Sequence, residues 1–407
     1  MSPAHGARGA LTPGTWLEVL AAFTRLGVSC FGGPVAHLAF FREEFVVRRR
    51  WLDETAYAEL VALCQLLPGP ASSQVGVSIG LLRAGYCGGL AAWVGFTLPS
   101  ALLLTAFAYG VVGIHGAPAQ GVLHGLRLAA AAIVAQAVWG MARAHCGSWR
   151  RGLIAAVAAA TVMGVGSSLG QLAAIAVGAL AGMLWCRAAD PAANVAPAAV
   201  VTRRVGLGAL GVHAGLMLAL PLLRELGRSQ TLAVVDAFYR SGALVFGGGH
   251  VVLPLLRQAF VGPGWVSDET FLNGYGAAQA VPGPLFSFAA YLGALVGPRG
   301  WAGAALGLVS IYVPGLLVLV GVLPFWHGFR RRSAVRAALV GVNAAVVAML
   351  AVTLYTPIWT TSVHTPGDLV VVLVGLLLLT VWRRPPLLVV AFSALAGLVL
   401  PHGLPGH

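Results

Sequence analysis

The chain has 407 residues, 58% of them hydrophobic and 9% charged, with a mean hydropathy of +0.87, a composition that excludes a soluble globular domain and requires an integral membrane protein. Its formal charge of +13 rests on arginine alone, because the sequence holds no lysine, and that excludes a Walker P-loop and any lysine Schiff base with pyridoxal or retinal. The arginines gather at the ends of apolar runs, where they set topology, so the charge does not point to nucleic acid.

In chain order, residues 1–13 read as a disordered lead. A first apolar element runs from Trp16 to Cys30, breaks at Gly32-Gly33-Pro34 and resumes into the charged stretch Arg42 to Asp53. Glycine frees the backbone and proline removes a donor, so a discontinuous helix is predicted there. The next element, Tyr57 to Leu82, is cut at Pro68-Gly69-Pro70 into halves too short to cross a bilayer. Such segments are re-entrant or broken. Runs near the roughly 20 residues that span a bilayer as helix follow at Leu90–Val112, Leu123–Met141, Val205–Leu226, Gly300–Leu323 and Val335–Tyr355. Shorter ones lie at Leu153–Val165, Leu169–Cys186, Leu369–Trp382 and Leu387–Leu400. Strict alternation is absent, which favours a helical bundle over a β-barrel. The lack of a compact cleavable signal predicts that the first apolar element stays in the mature protein. Five cysteines, Cys30, Cys64, Cys87, Cys146 and Cys186, have no metal-type spacing and read as membrane-packed thiols.

The opening elements recur. Phe23, Arg25, Gly27, Phe31, Gly32 and Gly33 return as Phe238, Arg240, Gly242, Phe246, Gly247 and Gly248 at a constant offset of 215 (246 − 31). Gln65 and Pro68-Gly69-Pro70 return as Gln279 and Pro282-Gly283-Pro284 at 214 (282 − 68). The chain is a tandem duplication, with a first repeat over 14–190, a linker and unmatched helix over 191–230, and a second repeat over 231–407. Arginine alternates between matching loops: 113–120 and 166–170 have none while 143–151 and 187–204 are rich. In the second half the order flips, with Arg330, Arg331, Arg332 and Arg336 in the first of these loops, none in 357–368, and Arg383-Arg384 in the next. By the positive-inside rule the matching loops face opposite sides, which predicts inverted repeats with Val205–Leu226 as the extra crossing. The N-terminus, Arg48 to Arg50 and Arg83 are then cytoplasmic and the C-terminus is outside; Arg224 and Arg228 oppose the rule. The expected fold is therefore an all-α polytopic membrane protein of two inverted-topology repeats, broken at the FGG and PGP motifs.

Paired broken helices in inverted repeats point to a transporter site near the midplane. The positive ends of half-helices favour an anion. Arg25 and Arg240 stand before the double glycines as candidate anion contacts; alternatively they reach the interface or pair with Glu18 and Asp236. Gly32, Gly33, Gly247 and Gly248 allow backbone to approach a ligand, or let helices pack closely. His250, and His37 near the first break, are candidates for a proton or an oxyanion, against a structural role. Gln65, Gln279, Ser72, Ser73 and Ser287 are candidate donors to anion oxygens, against interhelical bonding. Pro34, Pro68, Gly69, Pro70, Pro282, Gly283 and Pro284 are the hinge or break residues. Glu59, matched by Asn273, is a proton-coupling candidate; Arg127 and Asn343 are candidates to line the path, and Arg42 and Arg257 to bind lipid phosphate. HExxH does not occur, which argues against a zinc-dependent intramembrane enzyme. No metal or cofactor is implied.

With F-G-G-P at Phe31–Pro34, F-G-G-G-H at Phe246–His250 and the paired P-G-P turns, the chain resembles the long, two-domain members of the chromate ion transporter family over nearly its whole length. The resemblance implies export of chromate from the prokaryotic cytoplasm, across the cytoplasmic membrane, conferring resistance, with sulfate as the structural analogue. The family often has a basic residue where Arg25 and Arg240 stand. Sulfate or another oxyanion as cargo, a passive anion channel, and a homodimeric assembly stay open.

Overall fold

In the computed structural model, residues 14–31, 33–113, 117–165, 168–186, 201–227, 229–246, 249–296, 300–326 and 332–399 are described. The N-terminal lead, Gly32, Gly247, Gly248, Arg228, the 187–200 linker, Arg330 and Arg331 lie outside them. Every regular element among the described residues is helical. Five helices are long and apolar enough to cross a membrane, over 71–110, 120–145, 203–227, 300–325 and 333–362.

The first repeat opens with α1 (Trp16–Ser29), started by Thr15, whose hydroxyl accepts from Glu18 N–H at 3.2 Å. Val19, Ala22, Phe23, Leu26 and Gly27 form its buried stripe at helical spacing. After an interruption, α2 (Gly33–Arg42) leads into a π-helical turn at Glu43–Arg48. Next, α3 (Glu54–Leu66) starts on an Asp53 cap and stops before the PGP turn. The second half of that broken element, α4 (Ala71–Gly113), runs into the following span through a kink at Ala84 and Gly85, the latter at φ +62°. Three more helices complete the repeat: α5 (Ala117–His145), α6 (Trp149–Val165) and α7 (Ser168–Trp185).

The unmatched α8 (Arg203–Gly227) precedes the second copy. There α9 (Gln230–Ala243), α10 (Val252–Phe260), α11 (Asp268–Ala280), α12 (Phe288–Leu295) and α13 (Gly300–Val322) repeat the order of the first four, α12 and α13 together matching α4. Then come α14 (Ser333–Thr353), α15 (Pro366–Thr380) and α16 (Pro386–Val399).

The copies pack reciprocally. Helix α5 of the first repeat lies against α15 and α16 of the second, and α14 of the second lies against α6 and α7 of the first. The glycines at these crossings correspond too: Gly178 and Gly182 of α7 meet Gly341 of α14, and their matches Ser393 and Gly397 of α16 meet α5 at Gly125. Small residues let membrane helices approach this closely. Within each copy, Gly27 of α1 sits on the Gly95 carbonyl of α4, and its match Gly242 of α9 sits on the Ile311 carbonyl of α13.

The change of offset from 215 to 214 has a structural cause. Trp51 N–H donates to the Phe45 carbonyl six residues back (51 − 45), whereas Trp265 N–H donates to Phe260, five residues back (265 − 260). The first copy's additional residue is taken up by its π-helical turn; an inserted residue in a helix commonly appears as such a bulge. Because that length is absorbed, equivalent ion pairs survive on both sides of it. Arg42 Nε meets Glu54 at 2.7 Å, and Arg257 holds Asp268 through two bonds of 2.7 and 3.0 Å. Lipid phosphate is therefore not needed as their counter-ion.

Candidate functional site

Each PGP turn reaches across to the helix break of the other repeat. Gly69 N–H donates to the Val245 carbonyl at 2.8 Å, and Gly283 N–H donates to the Cys30 carbonyl at 2.9 Å. Val245 and Cys30 are themselves matched residues, 215 apart (245 − 30). Both turn glycines need the left-handed region, at φ +119° and +100°, where a side chain would be strained. Their neighbours match as well: a Cβ on Gly69 would stand 2.9 Å from Gly315 Cα, and one on Gly283 would stand 2.9 Å from Ser100 Oγ. Gly315 and Ser100 follow Pro314 and Pro99, which lie inside α13 and α4. The four interruptions thus interlock at one place.

A pocket opens there. It is lined by Gly33 and Pro34 from the first break, His250, and Ala278, Gln279, Val281, Gly283 and Leu285 around the second PGP turn, and its space, open side included, is about 310 Å³. Gly33, at φ +76°, faces His250 Nε2 with 3.9 Å between that atom and a Cβ built on the glycine. The other ring nitrogen of His250 shares a hydrogen bond of 2.8 Å with the Tyr275 hydroxyl. The Gln279 amide nitrogen makes no well-formed hydrogen bond and has the Tyr275 hydroxyl within reach. Pro34 packs on Gly249, so the two breaks touch.

Of the sequence candidates, Gly33, Pro34, His250, Gln279 and Gly283 meet at this pocket. Ser73 and Ser287 do not line it and are buried, 2% and 0% exposed. Pro68, Gly69, Pro70, Pro282 and Pro284 form the turns. Gly32, Gly247 and Gly248 lie outside the described residues. Arg25 and Arg240 are not brought to the pocket: Arg25 is on the exposed side of α1. Arg240 is held by Asp236 at 2.7 Å and donates to the Met217 carbonyl of α8 at 3.1 Å. Gln65 is exposed on α3, and Glu59 is buried within it. Ser72 shares a bond of 3.4 Å with the buried His37. Arg127 pairs with Glu269 at 2.9 Å, and Asn343 is half-buried in α14. Among the cysteines, Cys30 and Cys64 are buried and Cys87 is exposed.

Sequence reasoning passed over three groups that the fold gathers behind the second PGP turn. Ser100 Oγ lies 2.6 Å from Ser287 Oγ, and the Tyr312 hydroxyl faces Ser73, Thr97 and Ser287. Thr97 and Tyr312 are matched at 215 (312 − 97), as are Pro99 and Pro314. That offset was the available signal, but the unlike side chains and the apolar setting hide it.

Comparison with known proteins gives a consistent result. The chromate transporter family profile matches the chain twice, over residues 17–183 and 232–398, two stretches offset by the same 215 (232 − 17) as the motifs. The chain is 28% identical over 402 residues to a chromate transport protein of Pseudomonas aeruginosa, covering 96% of this chain and 94% of that one. It is 28% identical to a chromate transport protein of Cupriavidus metallidurans, covering 95% and 93%. It is 27% identical to a probable chromate transport protein of Synechococcus elongatus, covering 93% of each. No solved structure matches the chain.

Proposed function

Because the chain belongs to the chromate transporter family, we propose that it is a secondary transporter of a tetrahedral oxyanion, chromate foremost, working through the interlocked breaks of its two repeats. The observation that carries this reading is the reciprocal pair of bonds from Gly69 to Val245 and from Gly283 to Cys30. They join the two broken elements where backbone can approach a small ion. Irregular backbone at membrane depth is tolerated only where it is buried in protein or lines a cavity, and broken helices at a repeat interface are the usual form of a transport site.

In this reading the pocket beside Gly33, His250 and Gln279 admits the anion. Gln279 offers an amide donor that makes no well-formed bond, and His250, tied to Tyr275, offers a ring nitrogen toward Gly33. Alternating access comes from one set of breaks rocking against the other. The protein acts in the cytoplasmic membrane with its N-terminus inside and its C-terminus outside, as the arginine pattern favours. Export of a dianion from a negative-inside cell is downhill by about 2.3 kcal/mol per charge per 100 mV. The potential is therefore a sufficient drive without nucleotide, and export would confer chromate resistance.

The test is radiolabelled chromate uptake into everted membrane vesicles carrying the wild type or Gly283→Ala, with excess sulfate as competitor. Energised uptake that sulfate suppresses and the variant loses is the expected result. Uptake no greater than in empty vesicles, with folded protein present, would remove chromate as cargo. Uptake that rises linearly with chromate without saturating, and that preloaded unlabelled chromate does not accelerate, would make the protein a passive channel.

A further inference from the structure

Behind the second PGP turn, where Gly283 meets Ser100 and Ser100 meets Ser287, lies a cluster of hydroxyls contributed equally by the two repeats. Ser73 and Thr97 come from the first; Ser287, matched to Ser73 at 214 (287 − 73), and Tyr312, matched to Thr97, come from the second. All four are within 2% of full burial. The Tyr312 hydroxyl lies within hydrogen-bonding reach of the other three, yet Ser73 Oγ, Thr97 Oγ1 and the Tyr312 hydroxyl make no well-formed hydrogen bond. Buried hydroxyls are costly when unmet and are nearly always paired. Three that converge on a common point without a well-formed bond, behind a turn that lines a pocket, are the donors a polar ligand would satisfy.

The backbone selects the sign of that ligand's charge. Ser73 lies in the first turn of α4, after Pro70, and Ser287 immediately precedes α12. Leading N–H groups of a helix have no intrahelical acceptor and carry partial positive charge, so the N-terminus of α4 at the cluster favours an anion, while at α12 the Ser287 and Phe288 N–H groups are taken by the Pro284 and Leu285 carbonyls. Ser100 adds a rearrangement. Its hydroxyl can donate to the Thr97 carbonyl at 2.9 Å or to Ser287 Oγ at 2.6 Å, and in the second arrangement the Ser287 proton is released to face inward.

We infer that Ser73, Thr97, Ser287 and Tyr312 form a neutral oxyanion-binding site shared by the two repeats, in which a tetrahedral dianion is held by hydroxyl and helix-terminal N–H donors and by no arginine. The inference rests on the oxyanion-transport reading above and assigns the residues that hold the ion once it has passed the pocket. A carrier gains from such a site. Neutral donors match the four oxygens of a tetrahedral ion without the deep electrostatic trap that a buried guanidinium would create.

The test is equilibrium dialysis of radiolabelled sulfate and chromate against the purified full-length protein, comparing the wild type with Tyr312→Phe, Thr97→Val, Thr97→Ser and Ser73→Ala, each checked for monodispersity. Tyr312→Phe, Thr97→Val and Ser73→Ala should each raise Kd by roughly tenfold or more, the loss expected for one hydrogen bond to a charged group. Thr97→Ser, which keeps the hydroxyl, should stay within about twofold. Sulfate affinity of the wild type should be flat from about pH 6 to 9, since hydroxyl donors do not titrate there. A wild type that binds sulfate or chromate while the hydroxyl deletions bind equally well overturns this site and leaves the transport reading standing. A wild type that binds neither anion overturns the transport reading itself. A loss in the variants that appears only for added sodium, with anion binding intact, also overturns the anion site.

Discussion

Arg240→Ala separates a structural from a substrate-binding role for the most conspicuous cation of the second repeat. Asp236 is 2% exposed and accepts from Arg240 Nε at 2.7 Å and from Arg224 at 3.4 Å. Removing one partner of a buried pair costs about 3–5 kcal/mol when the charge is stranded completely. Arg224 remains as a second partner, and Arg240 is itself 33% exposed, so about 2 kcal/mol is the reasonable figure. That is roughly a thirtyfold shift in the unfolding equilibrium, at about 1.4 kcal/mol per factor of ten. The carbonyl of Met217 would also lose its donor, loosening α9 from α8. Thermal unfolding of the purified protein should show the loss, and Asp236→Ala added to Arg240→Ala should recover part of it. Sulfate Kd measured below the transition should stay within about twofold of wild type. Arg25→Ala, on the exposed side of α1, should change stability by less than about 0.5 kcal/mol. If Arg240→Ala melts like wild type but no longer binds sulfate, the guanidinium faces the anion and the reasoning is refuted.

Three further outcomes follow from named contacts. Gly69→Ala and Gly283→Ala should each cost about 1–2 kcal/mol from the left-handed backbone alone and abolish vesicle transport. Ser100→Gly should partly restore Gly283→Ala, whose new Cβ meets the Ser100 hydroxyl, while Gly69→Ala meets the Gly315 backbone and has no such remedy; equal rescue of both would contradict the packing. Arg257→Ala should lower the melting point more than Arg42→Ala, because Arg257 holds Asp268 with two bonds at roughly a quarter exposure while the Arg42–Glu54 pair is more than half exposed. A difference that appears only with anionic lipid would return both residues to a lipid-binding role. Asp368→Asn should destabilise by about 2 kcal/mol, since that carboxylate, 3% exposed, accepts from His124 of α5 and from the His364 and Thr365 N–H groups; an unchanged melting curve would show the His124 contact to be idle.

The breaks were legible because their chemistry is local. Gly33, Gly69 and Gly283 take positive φ values that glycine alone accepts freely, and the prolines beside them remove donors, so FGG and PGP announce interruptions in any apolar sequence. The duplication was legible for the same reason: both copies kept these residues at a fixed offset. The partner of each break was not, since the bond from Gly69 to Val245 joins backbone groups far apart in sequence and depends on no side chain. Arg240 misled because an arginine in an apolar helix suggests a ligand, while its acidic partner is one turn away on the same helix and was weighed only as an alternative. The Thr97–Tyr312 match was present at the right offset but lies in segments whose hydropathy reads as membrane span. Burial and mutual orientation, which make those hydroxyls unusual, exist only in the assembled helices.

The π-helical turn at Glu43–Arg48 bears on how this chain tolerates changes of length. Each PGP turn is tethered at a fixed distance in sequence from its own FGG break and docked on the break of the other copy, so a residue added between them must either be stored or shift the turn out of place. The first copy stores one in the wider turn, beyond Arg42 and ahead of Trp51, where the chain can bulge without moving either end. Single-residue insertions scanned along this region should therefore be accepted within 43–50 and rejected within α3, where one more residue would rotate the helix by about 100° and swing the turn away from Val245. The same scan through the 146–148 loop, which docks on neither break, should be silent.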